Sequence, residues 1–132
     1  MVRGQALADA MDRAAAPYVA KARATYPAAK KRYLAGLPPN YTFAVGVRLY
    51  QRDKKSGEKR HETVLVVVEK IKDGSIEGPI NSNLLLLTNY RRGQRIRIPE
   101  SELMNWLILR PDGTEEGNYV GKFLEHWKPP KA

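Results

Sequence analysis

The hydrophobic periodicity of this chain changes once, between Gly36 and Asn40, and this change limits the folds it can adopt. Before this point, alanine is abundant and apolar side chains recur every three or four residues, as on one face of a helix. After it, apolar and polar residues alternate, which is typical of strands. Gly36 and the pair Pro38-Pro39 are helix stop signals. The sequence therefore predicts a helical segment followed by a β-rich one.

The helical segment covers residues 1–36. Pro17 fits the first turn of a helix, where its missing N–H costs nothing. Pro27 interrupts the pattern, so we expect either a kink or two consecutive helices. Residues before about position 12 are expected to form a short helix or a mobile end. The apolar stripe that should face the core consists of Tyr18, Ala22, Tyr26, Ala29, Tyr33 and Leu37.

The β-rich segment covers residues 41–127 and ends in a short helix over Tyr119–Trp127. Asp73-Gly74 between apolar segments predicts a hairpin turn. The β-branched run Val64–Val68 predicts a strand that is buried on both faces. Residues 84–88 are expected to form a short apolar strand or a turn. The predicted strands are Thr42–Gln51, Glu62–Ile71, Ser75–Asn81, Gln94–Ile98 and Asn105–Arg110.

This order of elements predicts an α+β fold. We expect the N-terminal helix to pack on a small, bent antiparallel sheet or partly open barrel of about five strands, with a short C-terminal helix. An alanine-rich helix of 36 residues cannot form a core alone, and 132 residues suit one domain. The prediction is therefore a single domain over residues 1–132.

The composition excludes several kinds of chemistry. The chain has no cysteine, which rules out disulfides, thiolate zinc sites and thiol catalysis. His61 and His126 do not have the spacing of metal ligands. The acidic cluster of Asp112, Glu115 and Glu116 is interpreted as a solvated turn. The sequence therefore predicts no catalytic, cofactor-binding or metal-binding residue, and we expect that the protein is not an enzyme.

The net charge of +9 identifies the most distinctive surface feature. The first 36 residues contain 7 Lys and Arg against 2 Asp and Glu, and the remaining residues contain 16 against 12. Four arginines lie within seven residues, at the start of a predicted strand and along it. The predicted partner-binding residues are Tyr90, Arg91, Arg92, Arg95 and Arg97.

Three functions remain open for this basic surface. The first is binding of an acidic protein partner, since interfaces favour arginine and tyrosine. An immunity or accessory protein is one concrete form of this function, by analogy of class alone. The second is nucleic-acid binding, with phosphates held by the arginines and a base stacked on Tyr90. The third is an enzyme of unknown type, and the oligomeric state is left open.

The first residues lack the apolar core of a signal peptide, and the longest apolar runs are too short to span a membrane. We therefore expect a cytoplasmic protein without a membrane span, and a mature periplasmic form stays an alternative. Trp106 and Trp127 are expected to anchor the core. Asn81, Asn83 and Asn105 are expected to cap turns and strand ends, with a shared polar pocket as the alternative.

Several short motifs in the β-rich segment occur together in a distinctive order. They are Phe43–Val47, His61-Glu62, Asp73–Asn81, Gly93–Pro99, Asn105-Trp106 and Gly117–Tyr119. In this respect the chain resembles the YegJ-like family of small bacterial proteins, a domain of unknown function, over residues 18–127. The resemblance implies a compact α+β domain of bacterial origin and no catalytic residues. The chain departs from the family pattern at Thr63, Asn105 and Ser82-Asn83, where the family usually has other residues.

Overall fold

The computed structural model describes the backbone of residues 3–129 and the side chains of residues 6–129. A four-stranded antiparallel sheet has the strand order β2-β1-β6-β7, and a three-stranded one has the order β3-β4-β5. The predicted α+β class is confirmed, and the two sheets do not close into a barrel. The elements are α1 (Arg3–Ala35), β1 (Thr42–Arg52), β2 (Lys59–Val67), β3 (Lys70–Lys72), β4 (Ser75–Pro79), β5 (Arg95–Pro99), a 3-10 turn (Glu100–Glu102), β6 (Leu103–Leu109), β7 (Glu115–Gly117) and α2 (Tyr119–Leu124).

Helix α1 is one continuous helix, so the alternative of two consecutive helices is wrong. Both Pro17 and Pro27 lie inside it at exposed positions. The helix continues past them because its opposite face is held by tertiary packing, which contributes more to helix stability than local propensity does. The predicted stop is confirmed, since the helix ends at Ala35. Its buried residues are Ala15, Val19, Ala22, Tyr26 and Ala29, whereas Tyr18 is exposed and stacks on Phe123.

The long strand predicted over Glu62–Ile71 is divided into two strands that belong to different sheets. Strand β2 ends at Val67, and β3 begins at Lys70 in the second sheet. Val66 still forms an isolated bridge to Ile80, so the two sheets meet at this corner. Seven strands result instead of about five, because this division adds β3 and because the acidic segment predicted as a turn forms β7.

The corner depends on Gly78 of β4. A Cβ atom placed on this residue would lie 1.8 Å from the carbonyl oxygen of Val67 and 2.9 Å from its carbonyl carbon. No side chain fits at such distances, so only glycine lets the end of β2 cross β4 this closely. The adjacent hairpin confirms the sequence prediction, because Asp73 and Gly74 form a two-residue turn with positive φ angles of 52° and 74°.

Helix α1 is attached to the sheets by polar contacts beside the buried stripe. The Tyr26 hydroxyl donates to Glu100 at 2.5 Å, and Lys30 lies 3.0 Å from the same carboxylate. Burial and the bond to Glu100 raise the pKa of Tyr26 well above its ordinary value, so the phenol keeps its proton. Trp106, buried as expected, donates its indole N–H to Thr25 at 2.9 Å. These bonds fix the helix over β6 and the turn before it.

An irregular segment over residues 82–93, which we call the leucine loop, is held by two side chains of the β1–β2 hairpin. The Glu62 carboxylate accepts three consecutive backbone N–H bonds, from Leu85, Leu86 and Leu87, at 2.8–3.1 Å. Gln51 accepts the next two, from Thr88 and Asn89. The segment predicted as a short strand or a turn forms no strand, and the five successive backbone amides of residues 85–89 are held by these two side chains.

We expect Gly78→Ala to lower the free energy of unfolding by about 3 kcal/mol, because the new Cβ overlaps the Val67 carbonyl. Urea denaturation measures this loss. Gly36→Ala is the matched control: a Cβ at Gly36 meets nothing within 4 Å, and only its positive φ of 102° is penalised, by about 1 kcal/mol. Equal losses for the two variants would contradict the close crossing at the corner.

We also expect Glu62 to stabilise the fold in a pH-dependent way. Burial of the Glu62 carboxyl would raise its pKa, but the three N–H bonds outweigh that effect and hold the pKa below its ordinary value of 4.5. A lowered pKa in the folded state stabilises the protein above the ordinary value, and this contribution is lost as pH falls through the folded-state pKa. Glu62→Gln should cost about 1 kcal/mol at pH 7 and nothing once the carboxyl is protonated.

Urea denaturation of wild type and Glu62→Gln at neutral and acidic pH measures this difference. Glu58→Gln is the control, because Glu58 is exposed in the hairpin turn and should cost little at either pH. A Glu62→Gln penalty that does not change with pH would show that the carboxylate charge does not hold the loop.

Candidate binding surfaces

The predicted partner-binding residues divide between the leucine loop and β5. Tyr90 is half-buried and packs against the core, which leaves little of its ring free for stacking. Arg91 and Arg92 follow it on the loop and are exposed, and Arg92 donates to the Asn81 side chain at 3.1 Å. Two of the four predicted arginines, Arg91 and Arg92, are therefore exposed together on the leucine loop.

The two strand arginines project from the exposed face of β5, as predicted, with Ile96 and Ile98 turned inward. Arg95 forms an ion pair with Glu69, and Arg97 lies directly opposite Glu77 in the register of β4 and β5. Arg97 and Tyr90 also border a small cleft of about 400 Å³ together with Arg48. The arginines on β5 are therefore interspersed with glutamates and do not form a continuous basic surface.

Cations of α1 are likewise balanced by acids. Lys30 pairs with Glu100, and Arg32 pairs with Glu116 at 2.9 Å. The hydrogen bond from Arg32 holds the pKa of the Glu116 carboxyl below its ordinary value. Two of the seven cations counted in the helical segment, Lys30 and Arg32, therefore help to attach the helix to the rest of the fold.

The leucine loop combines a buried anchor with exposed apolar side chains. Leu87 is 4% exposed and belongs to the core, whereas Leu85 is 87% exposed and Leu86 is 55% exposed. Leu85 has the largest exposed fraction among the large apolar side chains that the structure describes. The loop therefore presents two leucines to solvent on a backbone that cannot easily withdraw them.

A larger cleft, of about 780 Å³, lies on the outer face of the four-stranded sheet. Val45 and Val47 point into the core, so strand alternation turns Gly46 and Arg48 to the opposite face. The N-terminal half of α1 and helix α2 form the walls above them. The apolar part of these walls includes Ala16 and Val19 of α1, Leu65 of β2, and Val120 and Leu124 of α2.

Two amide side chains that line this cleft, Asn105 and Asn118, form a network with Glu115, whose carboxylate fixes the orientation of both amides. Asn118 donates its amide N–H to Glu115 at 2.7 Å, because a carboxylate can only accept. The Asn118 oxygen therefore faces Asn105, which donates to it at 2.9 Å. Asn105 is 8% exposed, and its own oxygen is left buried without a hydrogen-bond partner among the described residues.

Arg48 lies on the same face of the sheet, two residues from the Gly46 that pairs with Asn105. Its terminal nitrogen contacts Asp12 of α1 at 3.1 Å, which balances its charge. Its Nε is the second buried side-chain atom without a partner among the described residues. One donor and one acceptor beside the cleft are thus buried and unsatisfied among the described residues, which is rare in native structures.

The sequence did not identify this cleft. The sequence predicts that Asn81, Asn83 and Asn105 cap turns and strand ends or share a polar pocket. In the structure, Asn81 and Asn83 are exposed and do not line this cleft. The available signal was Gly117-Asn118, since both residues have positive φ and turn the chain so that Asn118 meets Asn105. Asn118 and Glu115 are near each other in the sequence, but only tertiary structure brings Asn118 to Asn105.

The histidines give no catalytic arrangement. His61 borders the large cleft beside Tyr50, and its neighbour Glu62, which holds the leucine loop, borders the cleft as well. His126 is exposed after α2. Over residues 3–129, no three His, Asp or Glu side chains are close enough to hold a metal ion. Within the same range, no helix is both long enough and apolar enough to cross a membrane.

Comparison with known proteins gives one match. Residues 4–126 match the family DUF2314, which is described as an uncharacterized protein conserved in bacteria. No curated protein and no solved structure matches the chain. Because the match covers nearly the whole chain, the protein belongs to the bacterial family DUF2314.

Proposed function

We propose that this protein is a non-enzymatic binding domain that docks a protein partner on its leucine loop. The observation that carries the proposal is the exposure of Leu85, at 87%, on a loop whose backbone is held in place. A large apolar side chain in water gains about 1.5–3 kcal/mol when it is buried in a partner. Leu86 beside it extends the same apolar contact.

The anchoring of the loop supports docking because it lowers the cost of association. A flexible loop would lose conformational freedom on binding, which costs free energy for each side chain that becomes ordered. Glu62 and Gln51 already hold the amides of residues 85–89 in the free protein. The loop is therefore prepared for binding, as expected for an irregular segment of this length with a function.

The charge next to the leucines selects the kind of partner. Arg91 and Arg92 are exposed on the same loop, whereas Arg95 and Arg97 on β5 lie among glutamates and add less net positive charge. An apolar pocket bordered by carboxylates complements this arrangement, so the partner is an acidic protein. An immunity or accessory protein fits this description by analogy of class alone.

Two finer proposals accompany this one. We propose that the family relationship extends to the YegJ-like group, on the order of motifs from Phe43 to Tyr119. We also propose a cytoplasmic location, with a mature periplasmic form as the alternative. The partner should therefore be sought first in the cytoplasmic fraction of a bacterial host and then in the periplasmic fraction.

The test uses the immobilised protein to retain partners from both fractions. We expect one protein to be retained in a fixed ratio, and Leu85→Asp to reduce its retention at least about tenfold, because the contact loses its apolar anchor. Leu34→Asp is the matched control, since Leu34 is 59% exposed on α1 and should leave retention unchanged. Arg91→Glu with Arg92→Glu should also weaken retention and reduce its dependence on salt.

Each contrary outcome identifies a different error. Equal losses for Leu85→Asp and Leu34→Asp would show that the retention is not specific to the loop. Retention that disappears after nuclease treatment would replace the protein partner with nucleic acid. The absence of any retained protein from either fraction would overturn the proposal.

A further inference from the structure

We propose that the outer end of the β1–β2 hairpin binds single-stranded nucleic acid, with a base stacked on Tyr50 and phosphates held by Arg52 and Lys59. This second function does not depend on the docking of a protein partner by Leu85 and Leu86. The site is one face of the hairpin, which we call the arm face, and its residues are Tyr50, Arg52, Lys59 and His61.

The hairpin extends beyond the neighbouring strand of its sheet. The ladder between β1 and β6 ends at the pair Val47 and Leu103, whereas the ladder between β1 and β2 continues to Arg52 and Lys59. Residues 48–52 of β1 therefore have β2 as their only strand neighbour among the described residues, over a length of about 17 Å. This end of the hairpin is a two-stranded arm with exposed side chains.

The arm face combines an aromatic pair with a pair of cations. Directly opposite residues of antiparallel strands share a face, and here Tyr50 lies opposite His61 and Arg52 opposite Lys59. The Tyr50 and His61 rings lie 6.2 Å apart, and Tyr50 is 40% exposed. Like charges directly opposite each other destabilise a strand pair. A phosphate bound between the two cations removes this repulsion, so the pair is suited to an anionic ligand.

Both cations are available to a phosphate. Among the described residues neither forms an ion pair: Arg52 donates to the Gly57 carbonyl oxygen, and Lys59 Nζ lies 4.4 Å from the centre of the Tyr50 ring. A cation–π contact at an exposed site is weak, so the ammonium can exchange the ring for a phosphate. This exchange uncovers the ring face on which a base stacks.

The rest of the arm adds positive charge. Residues 48–63 contain six Lys and Arg against three Asp and Glu. Two of these acids are already bound by other groups of the protein, since Asp53 is in an ion pair and Glu62 holds the leucine loop. Lys54 and Lys55 are exposed at the turn and extend the charge beyond the arm face. The regularly spaced phosphates of a nucleic-acid strand complement this arrangement.

The large cleft beside the arm face sets the orientation of the strand. Tyr50 lines this cleft, whereas Arg52 and Lys59 do not. The other charged residues that line it are Asp12, Arg23, Arg48, Glu62 and Glu102. With three acids against two arginines, the cleft has no excess positive charge to attract a phosphate. Phosphates therefore bind outside it at the two cations, and an uncharged base enters it beside the Tyr50 ring.

The test is fluorescence anisotropy with a labelled oligothymidylate of about 12 nucleotides, a length within the usual site size of single-strand-binding folds. The full chain should bind it with a Kd of about 100 µM or tighter, and the affinity should fall as salt rises from about 50 to 200 mM. An oligouridylate of the same length should also bind, because stacked bases and phosphates are common to DNA and RNA. A duplex of that length should bind at least about threefold more weakly, because its base faces are covered.

Three kinds of variant test the named residues. Tyr50→Leu removes the ring and should weaken binding about tenfold, whereas Tyr50→Phe keeps the ring and should bind as the wild type does. Arg52→Ala with Lys59→Ala should reduce the slope of log K against log salt by about 1.4, since each phosphate contact on a single strand contributes about 0.7. Lys70→Ala with Lys72→Ala, at exposed positions of β3, is the control with the same change of net charge and should leave this slope unchanged. Circular dichroism checks that each variant is folded.

Several results would contradict this site. Equal affinities for the duplex and the single strand, or equal losses for Tyr50→Leu and Tyr50→Phe, would show that no base stacks on the ring. An unchanged salt slope in the folded Arg52→Ala, Lys59→Ala variant would place the phosphates elsewhere. Poly-L-glutamate that displaces the oligothymidylate at equal charge concentration would show that the arm binds an acidic protein instead. Absence of binding at about 100 µM protein and 50 mM salt would overturn the proposal altogether.

Discussion

The close crossing of the strand end at Val67 over Gly78 is the constraint on which the architecture depends. It lets one chain leave the four-stranded sheet and enter the three-stranded sheet within three residues, between Val67 and Lys70. Because the sheets meet there, a single core forms between them and α1, and it includes Val66, Ile76 and Ile98. The leucine loop then runs beside β2, where the Glu62 carboxylate can accept its backbone N–H groups.

Local signals predicted the elements that local geometry controls. Gly36 ended the helix and Asp73-Gly74 formed the hairpin, because both depend on backbone conformations available to few residues. The alternation in β5 correctly placed Ile96 and Ile98 inward. Local sequence signals gave wrong predictions where residues distant in the sequence determine the structure. The β-branched run from Val64 was divided because of Gly78, and Pro27 stayed within α1 because the opposite face was packed.

The candidate sites likewise divide into features that the local sequence shows and features that only the assembled fold shows. The composition showed the arginines, but the sequence could not assign to them their acidic neighbours, Glu69 between β2 and β3 and Glu77 on β4. The outer cleft depends on Asn105, Asn118 and Glu115, whose meeting requires β6, β7 and α2 to be assembled. A net charge of +9 therefore does not by itself locate a binding site.

The contacts that hold α1 have a consequence for the order of folding. Tyr26, Thr25 and Arg23 find their partners 74, 81 and 80 residues later in the chain. A ribosome that adds about 5–20 residues per second needs roughly 4–16 seconds to synthesise that distance. During this interval these three side chains of α1 lack their partners on β6 and in the turn before it. The helix can reach its final packing only once β6 has been made, and its alanine-rich stripe exposes little apolar surface to other chains until then.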